Sequence, residues 1–293
     1  MTDRLSRPAA RSWRGRVQSA FLLALLHLAP AAALASGPQT IDWAFMAIVY
    51  PIQAIGIGVG LHRYFAHRSF KTSRPFQFLL ALCAATAFGE AITFSGKHRL
   101  HHQYSDAKGD VHTPLDGWWA CWIESLLDHG YSKQEILNRV PDLERYPELM
   151  WLHRNARLPG LLLLAVAFAV GGFSTAAIGV CLPAIIIIHQ TSSINYFAHG
   201  RGARPFETGD HSTNNPLVAI LTFGEGWHNN HHRYPYSARA GIEPWEIDMF
   251  YWVICALERL GLVWQVRRPP NRARRGMDLV TRNRNNGTAS LGT

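Results

Sequence analysis

The 293 residues carry 29 Lys and Arg against 20 Asp and Glu, a formal charge of +9, while 48% are hydrophobic. Mean hydropathy is nonetheless close to neutral at −0.04, because long apolar runs alternate with strongly basic polar segments. That division argues against an ordinary soluble domain and for a polytopic membrane protein with a substantial aqueous part. Cys83, Cys121, Cys181 and Cys255 stand apart with no CxxC pair, so neither a disulfide framework nor a thiolate metal site is indicated.

Residues 1–16 are basic through Arg4, Arg7, Arg11, Arg14 and Arg16. Beside an apolar run, such a cluster reads as a cytoplasmic anchor on a lipid bilayer and not as a nucleic-acid interface. The first apolar run, residues 17–35, ends on Ala33-Leu34-Ala35 and so also fits a cleaved signal peptide. It is longer than a usual signal core, which favours a retained helix. The second run, residues 41–61, is interrupted by Pro51, Gly56, Gly58 and Gly60, glycines that suit close helix packing. Residues 75–94 form a run of similar length that carries Gln77 and Glu90. Residues 158–173 and 176–197 complete the set. A spanning helix needs about 20 apolar residues.

Charge orients these runs. Residues 36–40 and the turn at 172–175 lack Lys and Arg, whereas the N-terminal segment, residues 62–157 and the tail are rich in them. The positive-inside rule then gives two helical hairpins with both termini cytoplasmic. The expected fold is all-α: spans at 17–35, 41–61, 158–173 and 176–197 within a domain reaching residue 266, under a cytosolic helical cap. The tail, residues 267–293, is Arg/Asn/Gly-rich and reads as disordered.

Fifteen histidines carry the chemistry. His62 and His67 follow the second run. His98, His101 and His102 form one HxxHH box, and His228, His231 and His232 another. At positions i, i+3 and i+4 the three rings of a box share one helical face. His199 stands at the end of the fourth run, four residues after Asn195. Imidazole suits iron, zinc, copper or nickel, and nine such ligands are too many for one ion, so two metals are expected. Asp106, Asp110 and Glu225 are the nearest carboxylates to fix the rings from behind. For His27 and His189, inside apolar runs, packing or hydrogen bonding is the expected role. His112, His129, His153 and His211 have no partner at ligand spacing.

Two metals held by all the boxes need every box on one side of the membrane. If residues 75–94 crossed fully, the second box would lie about 30 Å from the first. That run is therefore expected to be interfacial or re-entrant.

The chain resembles the membrane fatty acid desaturases, specifically the stearoyl-CoA/acyl-lipid delta-9 branch. The likeness lies in the HxxxxH box and the two HxxHH boxes, and in their flanks. These include Gly60-Leu61-His62-Arg63, His102-Gln103-Tyr104-Ser105-Asp106, Asn195-Tyr196-Phe197-Ala198-His199 and Gly224-Glu225-Gly226-Trp227-His228. It implies two iron ions (Fe2+) held by His62, His67, His98, His101, His102, His199, His228, His231 and His232, with Asn195 holding a metal-bound water. It implies an O2-dependent enzyme that places a cis double bond, at carbon nine in this branch, in a saturated acyl chain. The substrate would be an acyl-CoA or an acyl-lipid; Gly96-Lys97 stands where acyl-CoA members commonly have Arg-Asp, which counts against a CoA head group and leaves acyl-lipid or acyl-carrier substrates open. No fused cytochrome motif is present in the sequence, so electrons would come from an external ferredoxin, rubredoxin or cytochrome b5. Phe94, Trp118, Trp119 and Trp122 are candidates to line the acyl tunnel. The expected location is an integral membrane protein with its site on the cytoplasmic side, in the plasma membrane if the source is bacterial. A hydroxylase or ketolase on the same di-iron site, or a non-catalytic membrane metal carrier, are the competing readings.

Overall fold

The computed structural model describes residues 13–110, 112–127 and 131–270. Residues 1–12, His129 and most of the tail expected to be disordered lie outside the described residues. Among the described residues, three helical segments are long and apolar enough to cross a membrane: Gly15–Ala35, Thr40–Ala66 and Leu158–Phe197. The last is not one rod. Gly171 and Gly172 leave helical geometry, and Gly172, at φ 74 and ψ −160, occupies a region essentially restricted to glycine. The chain therefore folds back at 171–172, slightly before the turn expected at 172–175.

Helix α1 (Trp13–Ala35) packs through Ala33 onto Ala177 and Ile178. Helix α2 (Thr40–Ile55) continues without a break as a π-helix, Gly56–Ala66. Next come α3 (Arg74–Thr86) and α4 (Ala91–Tyr104), which meet at an angle of 86°. The expected run 75–94 is thus two helices, and Phe94 belongs to the same helix as the second histidine box. Helix α5 (Pro147–Arg154) leads into α6 (Leu158–Ala176) and then, through a π-helical turn at Ala177–Cys181, into α7 (Leu182–Phe197). Helices α8 (Pro216–Leu221), α9 (His228–Arg233) and α10 (Met249–Arg259) complete the cap. A two-residue ladder pairs β1 (Lys71–Thr72) with β2 (Val263–Trp264).

A buried carboxylate sets the registry of α2 against the helical stretch that follows the Gly171–Gly172 break and runs on into α7. Asp42 is fully buried and accepts hydrogen bonds from Gln39 N (2.8 Å), Ser174 Oγ (2.6 Å) and Thr175 Oγ1. It thereby ties the start of α2 to the start of the ascending helix. His62 follows Asp42 by 20 residues and Asn195 follows Thr175 by 20. At ~1.5 Å per residue both lie ~30 Å from the knot, about the depth of a hydrocarbon core. Because α2 and α7 pack side by side, their far ends deliver the first box and Asn195 to the same place.

The two histidines inside the apolar helices α1 and α7, His27 and His189, are hydrogen-bonded. Trp122 Nε1–H donates to His189 Nδ1 (3.0 Å), so His189 carries its proton on Nε2 and donates to His27 Nε2 (3.0 Å). His27 Nδ1–H then donates to Leu23 O (2.7 Å). One tautomer satisfies the whole chain. Arg16 pairs with Glu124 at 3.0 Å, so α1 holds the 118–127 segment at two points.

The main core lies where α2, α3, α4 and α10 meet, around Leu61, Phe65, Leu80, Ile92 and Ile254. Each large apolar side chain buried there contributes about 1.5–3 kcal/mol. All three interrupting glycines serve the packing expected of them. A Cβ on Gly56 would overlap the backbone nitrogen of Ala84, and one on Gly60 would press on Leu80. Gly58 packs against the Phe250 ring. Since backbone yields less easily than a ring edge, Gly56→Ala is expected to cost about 1–3 kcal/mol and to lower the melting temperature in detergent. A Gly56→Ala protein that melts like wild type would show that α2 and α3 are not in this close contact.

Candidate metal centre

Four local structures deliver the rings. The π-helix that ends α2 carries His62, and His67 caps it; π-turns often occur where a functional side chain must be re-aimed. The regular helix α4 presents His98, His101 and His102 on one face, and α9 does the same for His228, His231 and His232. His199 follows the end of α7.

These nine rings form two groups. His62, His67, His98 and His231 offer ligand nitrogens all within 4.8 Å of one another, and so do His101, His199, His228 and His232. His102 joins the first group, with Nε2 3.0 Å from His98 Nε2 and 3.1 Å from His231 Nε2. The first group is then a run of Nε2 neighbours. His67 to His98 is 2.7 Å, and His231 to His62 is 3.2 Å. In the second group, His228 Nε2 stands 3.0 Å from both His199 Nε2 and His232 Nε2.

Carboxylates behind four of the rings fix their tautomers. His62 Nδ1–H donates to Glu225 at 2.6 Å, His101 Nδ1–H to Asp110 at 3.0 Å, and His199 Nδ1–H to Asp106 at 2.7 Å. His232 Nδ1–H donates to Asp210 at 2.5 Å. Each of these rings therefore aims an Nε2 lone pair at the centre of its group. In the second group, His199 and His232 both present lone pairs to His228 Nε2, which carries at most one proton. A ring nitrogen cannot satisfy both, whereas a shared cation can. The donor set thus fits a first-row metal in each group.

The rings are also held neutral, the form that binds metal. Burial, reinforced by neighbouring imidazoles, keeps His67, His228, His231 and His232 well below the usual histidine value of 6.5. Glu225 shows the opposite balance. Burial alone would raise it, but the Arg63 guanidinium and His62 hold it at about 2. Asp110 is likewise kept low against burial by His101 and His112.

Several groups in this frame gave no sequence signal. Asp210 is one, because it lies 22 residues before His232 in sequence. Its other oxygen is held by Ser212 N (3.0 Å) and Thr208 Oγ1 (2.6 Å). Arg63, next to His62 and buried, bridges Glu225 (2.9 Å) and Asp248 (2.8 Å). Asn230, between box histidines, donates to Glu246 (2.8 Å) and Ala240 O (2.9 Å), which pins α9 in the cap. His112 also differs from expectation. It stacks on His101 with ring centroids 4.3 Å apart and shares Asp110 with it.

Beside the two groups lies a cavity of about 550 Å³, lined by His62, His98, His101, His228, Asn195 and Phe94 among others. The three tryptophans expected in an acyl tunnel are absent from its wall. Trp118 and Trp119 are exposed, and Trp122 packs on Tyr196 and Phe197 while it donates to His189.

Two outcomes test the geometry. Asp210→Asn should weaken metal binding about 10–100-fold, the usual cost of losing a carboxylate behind a ligating ring, as read by metal content after dialysis against chelator. Unchanged retention would remove Asp210 from the centre. The second concerns acid. Below pH ~6.5 an unfolded chain takes up protons on histidines that the folded chain leaves neutral. Stability of the metal-free protein is thus complete above that value and is lost as pH falls, by up to ~1.4 kcal/mol per unit for each such ring. Melting temperatures across a pH series should fall on the acid side, and a flat profile would contradict the buried neutral rings.

Comparison with known proteins agrees with this geometry. Residues 41–256 match the fatty acid desaturase family model. The chain is 36% identical to an icosanoyl-CoA 5-desaturase of Limnanthes douglasii over 88% of its length and 74% of that protein's. It is 34% identical to an sn-1 stearoyl-lipid 9-desaturase of Anabaena variabilis, covering 78% of this chain and 86% of the relative. A hex-5-enoyl-[acyl-carrier protein] acetylenase of Moorena producens is 37% identical over 75% of each chain. With its histidine groups, its apolar helices and these relatives, the chain belongs to the fatty acid desaturase family, in the branch that includes the delta-9 enzymes, and is a membrane-associated oxidoreductase.

Proposed function

We propose that the protein introduces a cis double bond, at carbon nine, into a saturated fatty acyl chain, using O2 and two electrons from a separate donor protein. The observation that carries this reading is the pair of histidine groups, five rings and four, opening onto one cavity. His62, His67, His98, His102 and His231 would hold one iron ion. His101, His199, His228 and His232 would hold the other, with Asn195 binding it through a water. When bound, the irons supply the oxidant that an unactivated C–H bond requires and no acid or base side chain can provide.

The protein's own residues do the rest. Glu225, Asp106, Asp110 and Asp210 keep the rings aimed. Phe94, Phe223, Phe250, Ile187 and Ile188 give the cavity an apolar wall that can hold a methylene chain in one pose beside the irons. The cavity volume is in the range usual for small-molecule sites.

The membrane arrangement follows from the same reading. α1, α2, α6 and α7 would be four spans, and α3 and α4 a bent pair that does not carry the second box across. The site would then face the cytoplasm, where the Lys- and Arg-rich segments are retained. A basic face there suits an acidic ferredoxin, rubredoxin or cytochrome b5. The relatives act by name on CoA, lipid and acyl-carrier substrates, and an acyl-lipid or an acyl-carrier substrate fits the Gly96-Lys97 departure. The acetylenase relative also keeps open a second reading, further oxidation of an already unsaturated chain.

Expression in a host that lacks its own desaturase should yield unsaturated fatty acids two hydrogens lighter than their precursors by mass spectrometry. His101→Ala and His231→Ala should each abolish them and reduce bound iron from about two per chain, with membrane insertion unchanged. Product that has gained an oxygen, or activity retained in both variants, would overturn the assignment.

A further inference from the structure

The cavity wall is chemically two-sided. Apart from histidine, the charged residues that line it are Glu90, Lys97 and Glu225, and Glu225 is already engaged by Arg63 and His62. The charge a substrate meets is therefore on α4. There Glu90, Thr93, Phe94, Lys97, His98 and His101 all face the cavity, at the three- and four-residue spacing of a single helical stripe. Apart from histidine, the wall from α2 with its π-helical end, α7 and α10 is uncharged: it offers the apolar Ala54, Ile57, Ile187, Ile188 and Phe250, and the neutral polar Gln190, Thr191, Ser192 and Asn195.

Glu90 is the far end of that stripe and is held from three directions. As the N-cap of α4 it accepts hydrogen bonds from Ile92 N (2.8 Å) and Thr93 N (2.7 Å). His153, near the end of α5, donates Nδ1–H to it at 3.0 Å. The side chains are 9% and 16% exposed, and both residues line the cavity. The break between α3 and α4, residues 87–90, lines it too, so the pair sits where the bend of 86° is made.

We infer that the Glu90–His153 pair receives a hydroxyl or amide N–H of the group attached to the acyl carbonyl and, by holding that end of the substrate, fixes which carbons reach the metal centre. The inference rests on the desaturase reading above. A methylene chain laid over this pair would strip water from a carboxylate and an imidazole and return no hydrogen bond. The ester or thioester carbonyl only accepts, as do the Glu90 carboxylate and the free Nε2 of His153, but a hydroxyl or amide N–H on the group attached to it can donate to either and replace the lost water. His98 is eight residues beyond Glu90 on a straight helix, a rise of ~12 Å, so the anchor and the histidines are held apart by a rigid spacer. Glu90 and His153 are positioning residues in this account: they touch the substrate's end and not the reacting carbons.

The test uses the intact protein expressed in the desaturase-deficient host, with hexadecanoyl and octadecanoyl chains available. Wild type should place the double bond at the same distance from the carbonyl in both. His153→Leu removes one partner, and Glu90→Gln keeps the helix cap through its amide oxygen while it removes the charge. Each should lower the ratio of the main positional isomer to its neighbours about tenfold, the order of selectivity that one lost hydrogen bond removes. Bound iron should be unchanged. Wild-type product counted from the methyl end would overturn the inference, as would unaltered isomer ratios in both variants or complete loss of product in both. Absence of unsaturated product from wild type would instead sink the desaturase reading itself.

Discussion

The centre depends on one repeated contact, a carboxylate oxygen against a histidine Nδ1. It appears four times, at His62, His101, His199 and His232. Each contact does two things that a bare imidazole cannot do for itself. It places the ring's only proton on the outer nitrogen, and it stops rotation about the last side-chain bond. Without it, nine adjacent rings would trade protons among themselves and satisfy one another with hydrogen bonds. With it, the inward lone pairs of His199 and His232 both converge on His228 Nε2 at 3.0 Å, more than one proton there can satisfy, and the arrangement is unfavourable until a cation is shared. Metal affinity and folding are therefore coupled, because the loops that carry Asp106, Asp210 and Glu225 are ordered by the same bonds that aim the rings.

The helical frame supplies the distances. The Asp42 knot joins the beginnings of two helices, and equal runs of 20 residues bring His62 and Asn195 to a common level. A buried carboxylate is costly unless both of its oxygens are hydrogen-bonded. Asp42 meets that condition with one backbone and two hydroxyl donors. The bend between α3 and α4 solves the complementary problem. A straight helix through residues 74–104 would carry the second box away from the first, whereas the turn at 87–90 directs α4 back along the π-helical end of α2.

What was legible in the sequence follows from period and range. Spacing of i, i+3 and i+4 shows directly that three rings share a face, and the two HxxHH boxes behave so in α4 and α9. Apolar runs likewise give the long helices. Asp106, Asp110 and Glu225, near the boxes in sequence, do stand against ring nitrogens. Contacts set only by the folded path left no trace: Asp210 with His232, Arg63 with Asp248, and Asp42 with Ser174. The tryptophans misled for a physical reason. An aromatic near a polar boundary has two uses, and the indole N–H of Trp122 is spent on His189 instead of the ring lining the cavity.

That same indole bond explains how histidines can sit within apolar helices without a metal. A buried imidazole needs one donor and one acceptor partner. Trp122 supplies only a donor and Leu23 O only an acceptor, so the two rings between them can adopt one tautomeric state and no other. At the metal centre the carboxylates are acceptors only, every outer nitrogen they engage is a donor, and the inner nitrogens are left without protons. Identical side chains thus become a closed hydrogen-bonded link in one place and an open ligand set in the other. The difference lies in the neighbours: an indole and a carbonyl close the chain, while carboxylates leave it open to a cation.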